Sequence, residues 1–183
     1  GDSYAYLVKN AVNNYTLYLH NYSYSGRGTY VGYNQAAIYV TNANYALRVI
    51  LEGDSCIDMA PAKEISDVTG GYAIGFILGK SAVVQGRAGS SLTIRNADIG
   101  IKKDVTVMVT NATINTENVK QLIYSSNNMA FASCTLNCPE STLYQTSGTL
   151  SITDSDVTIK KLDVSSPTSG AVKITNSDVK ILE

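Results

Sequence analysis

The chain has 183 residues, of which 16% are charged and 44% hydrophobic, and its formal net charge at pH 7 is −1. This length and composition predict a single domain, residues 1–183, with a substantial buried core. Nucleic acids require a concentrated basic surface, which this sequence lacks, so no nucleic-acid partner is expected. No apolar run approaches the ~20 residues of a membrane-spanning helix, so no membrane insertion is expected either.

The N-terminal part of the chain is rich in tyrosine. Ten of the thirteen tyrosines lie within residues 1–45, whereas the whole chain has two phenylalanines and no tryptophan. Residues 1–14 precede the first strand pattern and are expected to form an N-terminal cap. Strand patterns follow at LYLHNYSYSG (17–26) and AIYV (37–40), and the segment between them, 26–35, is predicted to be a long corner loop.

Six side chains of this region are candidate ligand-binding residues, because they occupy outward positions of predicted strands or lie in the first long loop. They are Tyr18, His20, Arg27, Tyr30, Tyr33 and Tyr39. Exposed aromatic rings on a rigid sheet can stack on the apolar face of a sugar, while their polar tips form hydrogen bonds. The alternative is that strands simply favour tyrosine and that these rings cover one end of the core.

The middle of the chain continues the strand pattern with longer corners. VILEGDSCI (49–57) predicts a rung that begins 32 residues after Leu17, and AVVQGRAGSSLTI (82–94) predicts the next rung. The segment APAKEISDVTGG (60–71) is predicted to be a second long corner loop. LTIRNADIGI (92–101) begins only 15 residues before the next motif, so it is interpreted as crossing a corner.

Few residues are candidates for enzymatic chemistry. His20 is the only histidine, and the sequence contains no GxSxG, HExxH, CxxC or phosphate-binding glycine motif. Asp54 and Asp58, near Arg48 and Glu52, are the best candidates for a catalytic carboxylate cluster. GDSCID is interpreted more simply as a corner between strands, so a binding protein is favoured over an enzyme.

The second half of the chain repeats one motif about every 22 residues. The copies are VMVTNATINT (107–116), MAFASCTLNC (129–138), LSITDSDVTI (150–159) and VKITNSDVKI (172–181). A fixed period of this length indicates a solenoid, and each copy alternates with the period of a strand on both sides of a turn. The predicted fold is all-β, a single right-handed parallel β-helix of about seven coils. Its sheets would place four residues in one interior column, namely Val107, Met129, Leu150 and Val172.

Stacking of the coils predicts two surface columns near the Asn/Asp corner. The corner column, whose residue types tolerate a left-handed backbone, contains Asn21, Asn111, Ser133, Asp154 and Asn176. The column two places further on contains Ser23, Thr113, Thr135, Asp156 and Asp178. Asp154, Asp156 and Asp178 would then lie close together, and clustered carboxylates are candidate ligands for Ca²⁺. Several lysines are close in sequence, so solvated surface carboxylates are the alternative.

Two of the three cysteines are predicted to be buried free thiols. Cys134 and Cys138 lie in the 129–138 motif at positions that the strand alternation turns inward. An odd cysteine count in a chain of this length does not indicate a disulfide framework. A metal site or a bond between the two is the alternative.

The order of strands in the first half resembles a known family. The stretches are YTLYLHNYSYSG (15–26), AAIYV (36–40), LRVILEGDSCI (47–57), and YAIGF followed by AVVQGRAGSSLTI (72–94). They resemble the N-terminal coils of carbohydrate-binding parallel β-helix surface proteins of Gram-positive anaerobes, of the pectin- or polygalacturonate-binding type. The resemblance implies a secreted or cell-wall-attached module for polysaccharide or glycan, calcium-dependent in some members, and it adds no catalytic residue.

Non-catalytic extracellular carbohydrate binding on a bacterial surface is therefore the leading hypothesis. The first alternative is a structural or adhesin module that binds a protein, and the second is a polysaccharide lyase or hydrolase. The last predicted strand, VKILE (179–183), leaves one end of the stack uncovered, and an uncovered end of this kind favours end-to-end self-association through the C-terminal coil.

Overall fold

The computed structural model describes residues 2–103, 106–164 and 171–183, and these ranges contain eighteen strands and one helix. In chain order the elements are β1 (Tyr4–Ala11), β2 (Asn14–His20), β3 (Ser23–Ser25), β4 (Thr29–Val31), β5 (Asn34–Tyr39), β6 (Ala46–Glu52), β7 (Asp54–Asp58), α1 (Ala60–Thr69), β8 (Ala73–Leu78), β9 (Ser81–Gly86), β10 (Ser91–Lys103), β11 (Val107–Thr110), β12 (Thr113–Ser125), β13 (Met129–Ala132), β14 (Thr135–Gln145), β15 (Leu150–Thr153), β16 (Asp156–Val164), β17 (Val172–Thr175) and β18 (Asp178–Ile181). The predicted all-β class is confirmed.

The strands form two sheets, here called sheet A and sheet B. Sheet A has the order β1-β2-β6-β9-β11-β13-β15-β17. Sheet B has the order β18-β16-β14-β12-β10-β8-β5-β4, with β7 and then β3 pairing beside β10. Within the described residues every pairing is parallel except β1 with β2 and β4 with β5. From β9 onward the chain alternates between sheet A and sheet B, so each strand pairs with the strand two places along.

The register of sheet A confirms the predicted column, in which the first three residues are buried and Val172, on the last strand, is 39% exposed. Val107 pairs with Met129, Met129 with Leu150, and Leu150 with Val172. Leu17 pairs with Val49, as the spacing of the first rungs predicts.

The core lies between the inward faces of the two sheets, where aliphatic side chains form continuous columns. One column of sheet A contains Val49, Val84, Val109, Phe131 and Ile152, all at most 1% exposed. One column of sheet B contains Leu92, Ile114, Leu136 and Val157, also at most 1% exposed. Burial of each such side chain stabilises the fold by about 1.5–3 kcal/mol relative to exposure. Cys134 and Cys138 are buried free thiols in this core, as predicted.

The predicted corner column adopts the left-handed backbone conformation throughout. Its φ angles are 44° at Asn21, 52° at Asn111, 55° at Ser133, 49° at Asp154 and 46° at Asn176. Asn176 Nδ2 donates a hydrogen bond to Asp154 Oδ1 at 2.6 Å, so adjacent corners are also linked by their side chains.

The second predicted column is correct except for Ser23. Thr113 pairs with Thr135, Thr135 with Asp156, and Asp156 with Asp178. Ser23 instead pairs with Cys56, which belongs to the next outward column. The cause is a shift of one residue between the two sheets, because two residues separate His20 from Ser23 whereas three separate their partners Glu52 and Cys56.

Both segments predicted to be long corner loops contain regular structure. Residues 60–71 contain α1, which has Pro61 in its first turn and ends at Gly70, where φ is 74°. Residues 26–35 contain β4, which forms a hairpin with β5 through a two-residue turn. The interpretation of 92–101 as crossing a corner is confirmed, because β10 pairs with β7 before Asn96 and with β8 after it.

The two ends of the stack differ. At the N-terminal end β1, which lies within the predicted cap 1–14, is added antiparallel to the edge of sheet A. At the C-terminal end Ile174 and Ile181 are 50% and 45% exposed. Self-association through this end stays a prediction. No helix in the described part of the chain is long and apolar enough to cross a membrane.

Candidate functional site

Tyr18 and His20 lie on β2, and each is stacked against a ring of β1. The ring centroids of Tyr6 and Tyr18 are 4.5 Å apart with planes 6° from parallel. Those of Tyr4 and His20 are 4.7 Å apart with planes 8° from parallel. One face of each β2 ring is therefore covered within the protein. These rings alternate along β2 with Leu17 and Leu19, which pack on the core, so they stack on the outward face of sheet A.

Arg27, Tyr30 and Tyr33 lie apart from that pair, on the segment that contains the β4–β5 hairpin. Tyr30 is 65% exposed and Tyr33 is 83% exposed. They belong to the edge of sheet B, whereas Tyr18 and His20 belong to sheet A. The structure therefore does not bring the six predicted residues into one site.

Tyr39, the sixth predicted residue, lies in an outward column of sheet B that runs along the stack. Successive parallel pairings place six residues in this column, namely Tyr39, Ile77, Lys102, Tyr124, Tyr144 and Asp163. The middle of the column forms part of a groove that no sequence prediction had identified.

This groove is the candidate functional site. It encloses about 460 Å³ and is lined by Tyr72, Asp98, Ile99, Lys102, Lys120, Gln121, Tyr124 and Tyr144. β10, β12 and β14 supply every lining residue except Tyr72, which comes from the connection between α1 and β8. The parallel register aligns the walls, since Ile99 pairs with Gln121 and Lys102 pairs with Tyr124.

An aromatic and cationic ladder forms one wall of the groove. The ring centroids of Tyr124 and Tyr144 are 5.0 Å apart with planes 23° from parallel. Lys102 Nζ lies 5.9 Å from the centroid of Tyr124. At this distance the ammonium is attracted by the electron-rich ring face, which orders the lysine beside the tyrosine pair.

A buried carboxylate anchors the other wall. Asp98 is 5% exposed, and its Oδ2 accepts a hydrogen bond from the backbone N–H of Ala73 at 2.9 Å. Its Oδ1 lies 2.9 Å from Lys120 Nζ and 3.2 Å from Lys63 Nζ of α1. Burial alone would raise the pKa of Asp98, but the Ala73 N–H and the two ammonium groups outweigh it and hold the pKa below its ordinary value. Asp98 therefore joins α1, β8 and β12 around a single ionised group.

The groove carries more positive than negative charge. Asp98 is the single carboxylate that lines it, while Lys102 and Lys120 supply two ammonium groups. Within the described residues no carboxylate is in ion-pair contact with Lys102. Lys120 is 70% exposed although it contacts Asp98, so it remains accessible to a ligand.

The four residues considered for a catalytic carboxylate cluster are divided between the two sheets. Asp54 and Asp58 lie on β7 in sheet B, whereas Arg48 and Glu52 lie on β6 in sheet A. Glu52 pairs instead with Arg87 at 2.6 Å. A corner separates β6 from β7, as the alternative interpretation of GDSCID expected, so closeness in sequence does not bring these side chains onto one sheet.

The predicted calcium site is not formed either. Asp156 and Asp178 are neighbours across β16 and β18, but Asp154 is hydrogen-bonded to Asn176 at the corner. Lys180 Nζ lies 4.0 Å from Asp178 Oδ2 and competes with a cation there. In residues 2–103, 106–164 and 171–183, no group of three or more His, Cys, Asp or Glu side chains is arranged to hold a metal ion.

A signal for the groove was present in the sequence. QLIYSSN (121–127) and TLYQTSG (142–148) each have one tyrosine directly after an apolar residue and before a run of polar residues. Aligning the two segments on these tyrosines would have placed Tyr124 beside Tyr144, as the sheet register does. Tyr72 and Asp98 lie outside the regular repeat, and no periodicity points to them.

No protein-family model matches this chain, and neither a curated protein nor a solved structure matches it.

Proposed function

We propose that this chain is a right-handed parallel β-helix of about seven coils that acts as a non-catalytic, extracellular carbohydrate-binding module on a bacterial surface. Three observations support the architecture. The chain alternates between two sheets, the pairing is parallel and in register, and sheet A contains seven parallel strands within the described residues. The left-handed corners supply the sharp turns that each coil needs.

The groove of sheet B is the observation that carries the functional proposal. Binding sites for small polar ligands combine aromatic walls with a few convergent polar groups, and this groove has three tyrosines, two lysines and Gln121. A sugar presents both C–H faces and hydroxyl groups, which suit these two kinds of lining. The ammonium groups of Lys102 and Lys120 favour a glycan that also carries carboxylates, since charge-assisted hydrogen bonds are the strongest available there.

The lining residues favour binding without catalysis. They include no histidine, cysteine, serine or threonine, so no Ser–His or Cys–His pair is present among them. Asp98 accepts from Ala73 N–H and contacts both Lys63 and Lys120, so its oxygens are engaged in holding the groove together. A polysaccharide lyase or hydrolase is therefore less favoured than a binding module. The experiment below distinguishes a carbohydrate-binding module from a protein-binding adhesin module.

A glycan array followed by titration calorimetry tests the proposal. Tyr144→Ala and Lys120→Ala are each expected to weaken binding of the best glycan by about tenfold or more, which is about 1.4 kcal/mol. Tyr33→Ala is the matched control, because Tyr33 is a fully accessible tyrosine on the hairpin, 83% exposed and outside the groove.

Three outcomes would contradict parts of this proposal. Loss of binding in Tyr33→Ala but not in Tyr144→Ala would move the site from the groove to the hairpin. An array without binding to any plant or host glycan would refute carbohydrate binding and leave the protein-binding alternative. New unsaturated ends after incubation with polygalacturonate would show that the module is a lyase.

A further inference from the structure

A second concave site lies at the N-terminal end of the core, between sheet A and β5. It encloses about 460 Å³ and shares no lining residue with the groove. Its lining residues are Leu7, Tyr15, Leu17, Ala37, Ile38, Tyr39, Val40, Thr41, Tyr45, Ala46 and Leu47. We call it the end cavity.

The end cavity exists because the first coil has apolar inward side chains that are incompletely covered. Leu17 is half-buried, whereas Val49, its partner in the next strand of sheet A, is fully buried. Ile38 is half-buried, whereas Phe76, its partner in sheet B, is fully buried. The uncovered apolar surface gives a matching ligand a hydrophobic driving force.

The surrounding strands argue against another coil or a second copy of the chain as the occupant. A stacked coil would need the outer edge of β2, which β1 already occupies through antiparallel pairing from Tyr4 to Ala11. The outer edge of β5 is likewise paired with β4 as far as Ala36. Eleven residues line the cavity, whereas a stable protein interface uses about 20–30 residues on each side. The cavity therefore fits a small molecule.

The lining defines the chemistry of that molecule. No charged side chain lines the cavity, so a charged ligand would lose its hydration without gaining a partner. Tyr15, Tyr45 and Thr41 supply hydroxyl groups, and the Tyr15 and Tyr45 ring centroids lie 5.2 Å apart with planes tilted by 48°. Such a volume and lining are typical of sites for small ligands, and the Tyr15–Tyr45 pair, whose two half-buried rings contact each other, forms an aromatic wall against which a ligand ring can pack.

We propose that the end cavity binds an uncharged aromatic small molecule that carries one polar group. This inference is independent of carbohydrate binding in the groove, because the two sites share no residue. Aminoanthracene, which is uncharged at neutral pH and fluoresces more strongly in apolar surroundings, is the probe for a titration with the intact chain. The expected result is a saturable increase in fluorescence that fits a single site.

Two variants locate the probe. Ala37→Phe places a ring in the cavity and is expected to weaken probe binding by about tenfold or more. Tyr144→Ala removes a ring from the groove and is expected to leave probe binding unchanged. Absence of saturable binding to the unmodified chain would overturn the proposal. Unchanged affinity in a folded Ala37→Phe variant, checked by circular dichroism, would overturn it as well.

A second measurement keeps the test decisive if Ala37→Phe does not fold. Amide-resolved NMR spectra of the unmodified protein are recorded with and without the probe. Shifts confined to residues 15–17 and 37–47 support the end cavity, and shifts confined to residues 121–144 would overturn it. Addition of a glycan that binds the groove is expected not to displace the probe.

Discussion

Replacing Asp98 by alanine tests whether one buried carboxylate organises the wall of the groove. The substitution removes the acceptor for the Ala73 N–H at 2.9 Å and the ionic partner of Lys63 and Lys120. A hydrogen bond to a charged group contributes about 1.5–3 kcal/mol. Each ammonium group reaches solvent, so each ion pair adds only about 0–1 kcal/mol. The sum predicts that the free energy of unfolding falls by about 1.5–5 kcal/mol at neutral pH.

Urea denaturation followed by circular dichroism measures this loss, and pH supplies an independent check. The pKa of Asp98 is lowered in the folded state, so its stabilisation is present above the unfolded pKa of about 3.9 and is lost as the pH falls through the folded pKa. The difference between Asp98→Ala and the unmodified chain is therefore expected to be constant from neutral pH to about pH 5 and to shrink below about pH 4.

Asp67→Ala is the matched control, since Asp67 also pairs with Lys63 but is 62% exposed on α1. Asp67→Ala is expected to lower the free energy of unfolding by less than about 1 kcal/mol, because an exposed ion pair contributes no more than that to stability. If Asp98→Ala costs no more than Asp67→Ala, or if its cost is undiminished at about pH 3, the assignment of Asp98 as the anchor of the groove is wrong.

Two further predictions concern the core and its thiols. Phe131→Ala is expected to lower the free energy of unfolding by about 3–5 kcal/mol, because Phe131 is 1% exposed and its removal leaves a cavity. Met108 is on the outward face and 40% exposed, so Met108→Ala is expected to lower the free energy of unfolding by less than about 1 kcal/mol. Equal urea midpoints for Phe131→Ala and Met108→Ala would contradict the assignment of Phe131 to the inward face. Burial raises the pKa of Cys138 to about 12, so in the folded state iodoacetamide is expected to label Cys56, which is half-buried, well before Cys138. Equal labelling rates by mass spectrometry would refute the buried position of Cys138.

The parts of the fold that the sequence predicted correctly depend on short-range periodicity. The repeat of about 22 residues, with strand alternation inside each copy, predicted parallel strands and the column from Val107 to Val172. The Asn/Asp positions predicted left-handed corners, because few other residue types tolerate that backbone conformation. Such patterns can be recognised because each copy of the repeat has the same local steric and hydrophobic requirements.

The helix and the hairpin were missed because their signals are not periodic. The segment 60–71 has proline, glycine and polar residues typical of a loop, yet α1 forms there and is tied to the sheet through Lys63 and Asp98. Tertiary contacts of this kind stabilise a short helix that would be marginal in isolation. The hairpin partner β4 has only three residues, too few for an alternation to be recognised.

The sequence by itself determined the class of structure, the residues that face the core and the backbone conformation of the corners, because each of these follows from local steric and hydrophobic preferences. The tertiary structure alone decided which outward residues meet. Tyr72, Asp98 and Tyr144 converge on one groove only after the lengths of the corners set the stacking register. Similarly, the Asp154, Asp156 and Asp178 carboxylates do not form a metal site, because hydrogen bonding at the corner and a neighbouring lysine engage two of them separately. A surface site depends on which residues of neighbouring strands pair, and this register is set by the lengths of the corners that connect the strands.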